Sequence, residues 1–285
     1  MSHDSAVSHD AAPQFVLPRS DNSEQSRYSI ICGKLSRLLA RNIATKKLTM
    51  RNTKPLVTFT FDDAAASACV TGALLLERQQ ARGTYYISGG GCGAVSPVGQ
   101  LATTEQVKTL YTKGHEIGCH TYSHAAVGGI GRDALVAELE RNRSFLQGIH
   151  RDILVRNFAY PYGELSLRSK RYLEARFDSC RSVTPGVNVG TADLGALRAC
   201  ELQNTAIDHR GVFEIVAETV RRNGWLVFAV HDVMDGPSRF GVTPDFFAFA
   251  LKAARAAGCD VVPVRDALRI LNGAVACPVN DDAAP

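Results

Sequence analysis

The sequence predicts an α/β fold: a distorted (β/α)7-8 barrel of parallel strands joined by helical crossovers. Three observations lead there. From residue 55 onward, short apolar and β-branched runs alternate with stretches of helical length, the pattern of parallel strands with helices between them. Seven or eight such units fit within 285 residues, a size at which single α/β barrels are common. Hydrophobic residues make up 45% and charged residues 21%, which supplies a core and excludes overall disorder.

The elements follow in order. Pro55-Leu-Val-Thr-Phe-Thr-Phe61 alternates and is β-branched, so it is a strand, followed by a helix over 67–80. Gly83–Ile87 is the second strand, and Gly89, Gly90, Gly91 and Gly93 mark a loop. Thr103 caps a helix that ends at Gly114. His115–His120 is the third strand, and a periodic helix spans 133–147 with Leu135, Leu139 and Leu146 near one face. Asn157–Tyr160 is the fourth strand, and 166–176 is helical. Phe177–Val183 and Ala196–Leu202 are the fifth and sixth strands. A helix over 212–222 leads to Trp225–Val230, the most apolar strand. A helix over 244–257 and a short strand at 260–264 complete the domain.

The chain divides into an N-terminal tail (1–52), a main domain (53–275) and a C-terminal tail (276–285). Residues 1–25 are polar and expected to be disordered, and the basic stretch 26–50 is either a solvated arm or a helix lying on the domain or a membrane surface. Met50 precedes the first strong strand, so it is a candidate natural start. Residues 1–54 hold nine Lys/Arg against four Asp/Glu, which leaves the main domain near neutral and argues against nucleic-acid binding. Eight cysteines without a CxxC are read mostly as free thiols in a reducing compartment. The early residues lack an apolar signal-peptide core, so the expected location is the cytoplasm.

Four features carry chemistry. In His120-Thr-Tyr-Ser-His124, two imidazoles four residues apart can aim at one ion. Asp62-Asp63 ends the first strand, and paired carboxylates beside a cation can divide metal binding from proton transfer. His231 follows six apolar residues at the carboxyl end of a buried strand, where α/β enzymes gather catalytic groups. Phe158-Ala-Tyr-Pro-Tyr162-Gly163 forms a stiff turn that can present a backbone N–H to an oxyanion. Taken singly, each feature also has an ordinary structural explanation: surface histidines, a helix cap, a core histidine, a strand-ending turn.

Together and in this order, the four resemble the NodB-homology polysaccharide deacetylases, carbohydrate esterase family 4, over about residues 55–270. The matching motifs are Thr60-Phe61-Asp62-Asp63, His120-Thr121-Tyr122-Ser123-His124, Pro161-Tyr162-Gly163 and His231, with Gly114–Gly118 as lead-in. The resemblance implies a barrel of the NodB type and a hydrolase of carbon–nitrogen bonds other than peptide bonds. Its substrate would be an N-acetylated glycan of N-acetylglucosamine. It implies one divalent metal, zinc first, then cobalt, manganese or nickel, held by Asp63, His120 and His124. Asp62 would be the base, His231 the acid, and the Tyr162 N–H an oxyanion donor. Pro161 and Tyr162 are candidates for the substrate site. Trp225 is a further candidate, as a wall of the acetyl pocket, although the start of a buried strand also suits a core residue. The family's third motif often carries an Arg that orients the base, and here the position is Ala159, with Arg198 as a cation from elsewhere. Alternatives are a relative that opens small cyclic or linear amides, and a non-catalytic glycan-binding module.

Overall fold

A computed structural model describes residues 36–273. Within them, eight strands form one parallel sheet: β1 (Leu56–Phe61), β2 (Thr84–Ile87), β3 (Glu116–Cys119), β4 (Asn157–Ala159), β5 (Ser179–Arg181), β6 (Cys200–Glu201), β7 (Trp225–Val230) and β8 (Asp260–Val261). Their order is β6-β7-β1-β2-β3-β4-β5, with β8 wedged against the N-terminal end of β1. The sheet curls until the segment before β6 meets β5. Leu197 pairs with Arg181, the Ser182 N–H donates to the Leu197 carbonyl, and the Leu197 N–H donates to that of Cys180. The expected barrel closes there, distorted because β5 and β6 touch only briefly.

Helices cover the outside: α1 (Ala73–Glu77), α2 (Thr104–Thr112), α3 (Arg132–Ile149), α4 (Leu167–Glu174), α5 (His209–Arg221), α6 (Pro244–Ala256) and α7 (Val264–Leu271). The helix expected over 67–80 opens instead with a π turn at Ala68–Gly72. The last strand is shorter than expected, because Pro263 caps α7 directly after it. Val264, Ala267, Leu268 and Leu271 bury one face of α7 at helical spacing, a signal too short to stand out beside the strand before it.

β1 and β7 fix the frame. Both are buried at every position and pair in parallel from Leu56 opposite Trp225 to Phe61 opposite Val230. Such continuous apolar runs are what a strand covered on both faces requires. Val57, Phe59 and Phe61 pack outward with Phe247 and its helix, so Thr58, Thr60 and Asp62 face the barrel interior. Side-chain hydrogen bonds across β2 to β5 tie the interior into layers. Thr84, Glu116, Asn157 and Ser179 form one layer, tied by Thr84 to Glu116 (2.8 Å), Asn157 to Glu116 (2.5 Å) and Ser179 to Asn157 (2.7 Å). Two residues further along the strands lie Tyr86, Gly118, Ala159 and Arg181.

Part of the expected N-terminal tail packs on this barrel. Residues 36–42 are helical, Ala40 is buried, and Lys47–Thr49 pairs antiparallel with Thr191–Asp193. The buried Lys170 ammonium donates to the carbonyls of Ala40 (2.9 Å) and Ile43 (2.6 Å) and to Asp193 (2.5 Å). A chain starting at Met50 would lose two of those three acceptors. The expected tails at 1–25 and 276–285, the first part of the basic stretch (26–35), Cys32 and Cys277 lie outside the described residues. Among the described residues six cysteines are free, and burial raises the thiols of Cys69 and Cys180 well above their usual range. No helix there is long and apolar enough to cross a membrane.

Candidate active site

The strand ends meet at one mouth of the barrel, and strand alternation decides which side chains look into it. Asp62 continues the inward row of β1, His120 that of β3 and His231 that of β7. The Asp62 N–H donates to the Val230 carbonyl (2.9 Å), which sets Asp62 beside His231. Asp63 would point outward by the same alternation, but its backbone is left-handed, with φ 59°. Ala64, Thr121, His124 and Tyr162 share that conformation, so five of the seven non-glycine residues with positive φ among the described residues line this mouth. Each such residue costs about 1–3 kcal/mol and persists only where its surroundings over-determine it.

The kink at Asp63 turns its carboxylate toward the histidines. Asp63 Oδ1 lies 3.2 Å from His124 Nε2 and 3.7 Å from His120 Nε2. One donor atom from each of Asp63, His120 and His124 falls within 4.8 Å of the others. His120 Nδ1 is 2.9 Å from the Ala159 carbonyl, so it carries the proton and leaves the Nε2 lone pair facing Asp63. Burial brings both imidazoles down to about 4, so both are neutral and ligand-ready at pH 7. Two imidazoles and a carboxylate are the donor set of an open catalytic metal site. The residues present therefore fit the metal that the sequence suggested.

Asp62 stands apart from the donor cluster. Burial alone would raise its carboxyl, but Arg181, His120 and His231 outweigh burial and hold it below the usual carboxylate range. Arg181 is fully buried, and its Nη2 donates to both Asp62 oxygens. This is the cation that sequence reasoning could not place. Arg198 is not that cation: it donates to the Pro185 carbonyl from an exposed position. The pairing of β4 with β5 explains the substitution. Ala159 lies directly opposite Arg181, so the guanidinium enters the same layer from the neighbouring strand. That layer also holds Tyr86, whose ring lies 5.4 Å from the Arg181 guanidinium. A Cβ on Gly118 would come within 2.5 Å of the Tyr86 ring. Two long side chains, Tyr86 and Arg181, thus lie beside Gly118 and Ala159.

His231 faces the mouth with its Nδ1 buried and without a partner among the described residues. The neighbouring Asp232 does not steady it, because that carboxylate accepts from the Ser238 N–H (2.8 Å) and hydroxyl (2.5 Å). Tyr162 is 48% exposed, and its ring stands edge-on to His124 at 4.3 Å. Pro161 is buried beneath it. Trp225 does not reach the site. It is fully buried at the opposite end of β7, with its Nε1 donating to Thr58 (2.9 Å), so it is a core residue and not a wall of the acetyl pocket.

One supporting residue escaped sequence reasoning. Glu138, on α3, accepts from the backbone N–H groups of Tyr122 (2.9 Å) and Ser123 (2.8 Å) and from the Ser123 hydroxyl (2.9 Å). It thereby pins the strained turn that carries His124. Its only signal was a carboxylate one position before the buried Leu139, which is indistinguishable from an ordinary surface Glu. Glu138→Gln is expected to weaken metal affinity by about 10–100-fold, the usual range for groups that orient ligands. Titration of the stripped protein with zinc checks this, and unchanged affinity would mean that the turn holds itself.

Residues 49–176 match the model of the polysaccharide deacetylase family. No curated protein matches the sequence. Similar solved structures include the Xyl-CE4 domain of a multidomain xylanase from the hindgut metagenome of Trinervitermes trinervoides. It is 16% identical with a TM-score of 0.55, covering 76% of this chain and 91% of that one. A family 4 acetyl xylan esterase from Clostridium thermocellum, in complex with a cobalt ion, is 20% identical with a TM-score of 0.54, covering 76% and 92%. BA3943, a family 4 pseudoenzyme from Bacillus anthracis, is 13% identical with a TM-score of 0.53, covering 79% and 69%. At these identities the likeness establishes the fold, that of the NodB-type deacetylases.

Proposed function

We propose that the chain is a metal-dependent hydrolase that removes N-acetyl groups from an N-acetylglucosamine-containing glycan and releases acetate, a reading supported by the match of residues 49–176 to the polysaccharide deacetylase model. The observation that carries this reading is the division of labour at the mouth. Donor atoms of Asp63, His120 and His124 converge, while Asp62 lies outside that cluster and Arg181 holds its carboxyl below the usual range. A non-catalytic glycan-binding module has no use for a buried, ionised carboxylate beside a donor triad.

Asp63, His120 and His124 would hold one divalent ion, with zinc favoured by two imidazoles and cobalt, manganese and nickel fitting the same donors. When bound, such an ion polarises the amide carbonyl and acidifies water. Asp62 accepts the proton of the attacking water, a role its ionised state prepares. The Tyr162 N–H donates to the developing oxyanion at the turn Pro161-Tyr162-Gly163. His231, beside Asp62, delivers a proton to the departing nitrogen, which leaves poorly as an anion.

Acetate release from N-acetylglucosamine oligomers tests the reading, together with metal analysis. The purified protein is expected to hold about one ion per chain, in keeping with a three-ligand catalytic site. His120→Ala is expected to lose both ion and activity. Full activity in thoroughly metal-stripped protein would remove the metal from the mechanism. Absence of acetate release from metal-loaded protein would turn the assignment toward glycan binding.

A further inference from the structure

A second recess flanks the mouth. The loop after His124 and the turn into α4 after Tyr162 bound a cleft of about 460 Å³. Gly128, at its floor, faces the backbone of Glu164 and Leu165, the residues just after the Pro161-Tyr162-Gly163 turn. Four arginines line the cleft, Arg132, Arg168, Arg171 and Arg176, and no acidic residue does. Among the described residues none of the four lies within ion-pair distance of a carboxylate, whereas eight arginines elsewhere do.

Tyr172 holds two of these cations in place. The Arg176 guanidinium lies over its ring at 3.5 Å and that of Arg132 at 5.6 Å. Stacking fixes a guanidinium plane while leaving N–H edges free to donate. Arg168 and Arg171 sit three residues apart on α4, where like charges repel. Clustered like charges repel unless a counter-charge joins them, and an anion would meet a pre-arranged set of forked donors.

We propose that this cleft receives an anionic group of the substrate, a phosphate or carboxylate carried by the glycan near the acetamide that enters the mouth. The substrate class then becomes an acidic amino-sugar glycan. The acetamide half of this statement rests on the deacetylase reading; the anion half rests on the arginines alone.

Binding separates the two. With Asp62→Asn protein, whose turnover is expected to be too slow to consume its ligand during a titration, calorimetry compares three oligomers of N-acetylglucosamine of equal length: neutral, phosphate-bearing and carboxylate-bearing. An anionic oligomer is expected to bind about tenfold more tightly at low salt, and the advantage is expected to shrink as salt rises. The phosphate and carboxylate arms identify the source of the charge. Adding Arg168→Gln with Arg171→Gln is expected to erase the preference. Arg151→Gln with Arg210→Gln, an equal charge change at exposed sites outside the cleft, is expected to keep it. Inorganic phosphate is expected to erode the preference in protein with all four arginines, a readout that needs no variant. Equal affinity for the three oligomers, or a preference that survives the double variant, overturns the proposal. So does saturable binding to phosphatidylglycerol vesicles that the double variant abolishes while oligomer affinities stay equal. A failed deacetylase reading has its own signature: the unmutated, metal-loaded protein releases no acetate from any oligomer.

Discussion

Asp62→Asn is expected to keep the metal and to lose about 10²–10⁴-fold in kcat, the range of a positioned general base. The amide is isosteric with the carboxylate, so the mouth keeps its shape. Asp63, His120 and His124 are untouched, so metal content is expected to stay that of the unmutated protein. The change also strips Arg181 of its counter-charge. A fully buried guanidinium that loses its ionised partner costs about 3–5 kcal/mol, less whatever the amide oxygen still accepts. The variant is therefore expected to melt earlier as well as turn over slowly. Acetate release, metal analysis and thermal melting on the same preparation separate the two effects. Turnover near that of the unmutated protein would place the base on another residue. Loss of the ion together with activity would mean that Asp62 is a ligand and that the division of labour between the two aspartates is drawn wrongly.

The barrel was legible because β1 and β7 are long apolar runs and because the helices between strands are periodic. The short strands were legible in position and not in length: β5 was expected over 177–183 and occupies Ser179–Arg181. The donor triad was legible because it is local. Asp63 ends one strand and His120 and His124 bracket one turn, so sequence spacing alone brings two of the three together. Arg181 was not legible, since its role depends on a register between strands separated by 22 residues in the chain, with Ala159 opposite it. A strand-end Arg in an apolar run is a signal, but only the pairing of β4 with β5 gives it a target. Trp225 was misplaced for the opposite reason. It lies near His231 in sequence, yet six strand residues at about 3.3 Å each carry it to the far end of the barrel. Glu138 was missed because its partners are backbone N–H groups, which no sequence names.

Arg181→Met is expected to be the most damaging single substitution at the mouth, because it leaves the Asp62 carboxyl buried without its cation. Removal of one member of a buried pair costs about 3–5 kcal/mol, and for a domain of this size that lowers Tm by about 6–20 °C. The pH dependence carries the sharper test. In the unmutated protein the Asp62 carboxyl lies below its ordinary value, so its stabilising contribution is present above the unfolded pKa and is lost as pH falls through the folded one. Without Arg181, burial dominates and the carboxyl rises. The base then takes up its proton at higher pH, and the acid limb of the kcat/KM profile is expected to move upward. The stability deficit relates to the same proton: it is largest near neutrality and shrinks toward acid pH, where the carboxyl is neutral in both proteins. An unmoved acid limb would show that Arg181 does not set the state of the base. The layer itself offers the rescue. Ala159 and Arg181 are opposite one another on the same face, so Ala159→Arg combined with Arg181→Ala returns the guanidinium to the neighbouring strand and conserves the volume around Tyr86. That double variant is expected to recover most of the Tm and to bring the acid limb back down, whereas Ala159→Arg alone overfills the layer and destabilises. Recovery in the double variant but not in either single one would establish that the cation's position over Asp62, and not the strand that supplies it, is what the mouth requires.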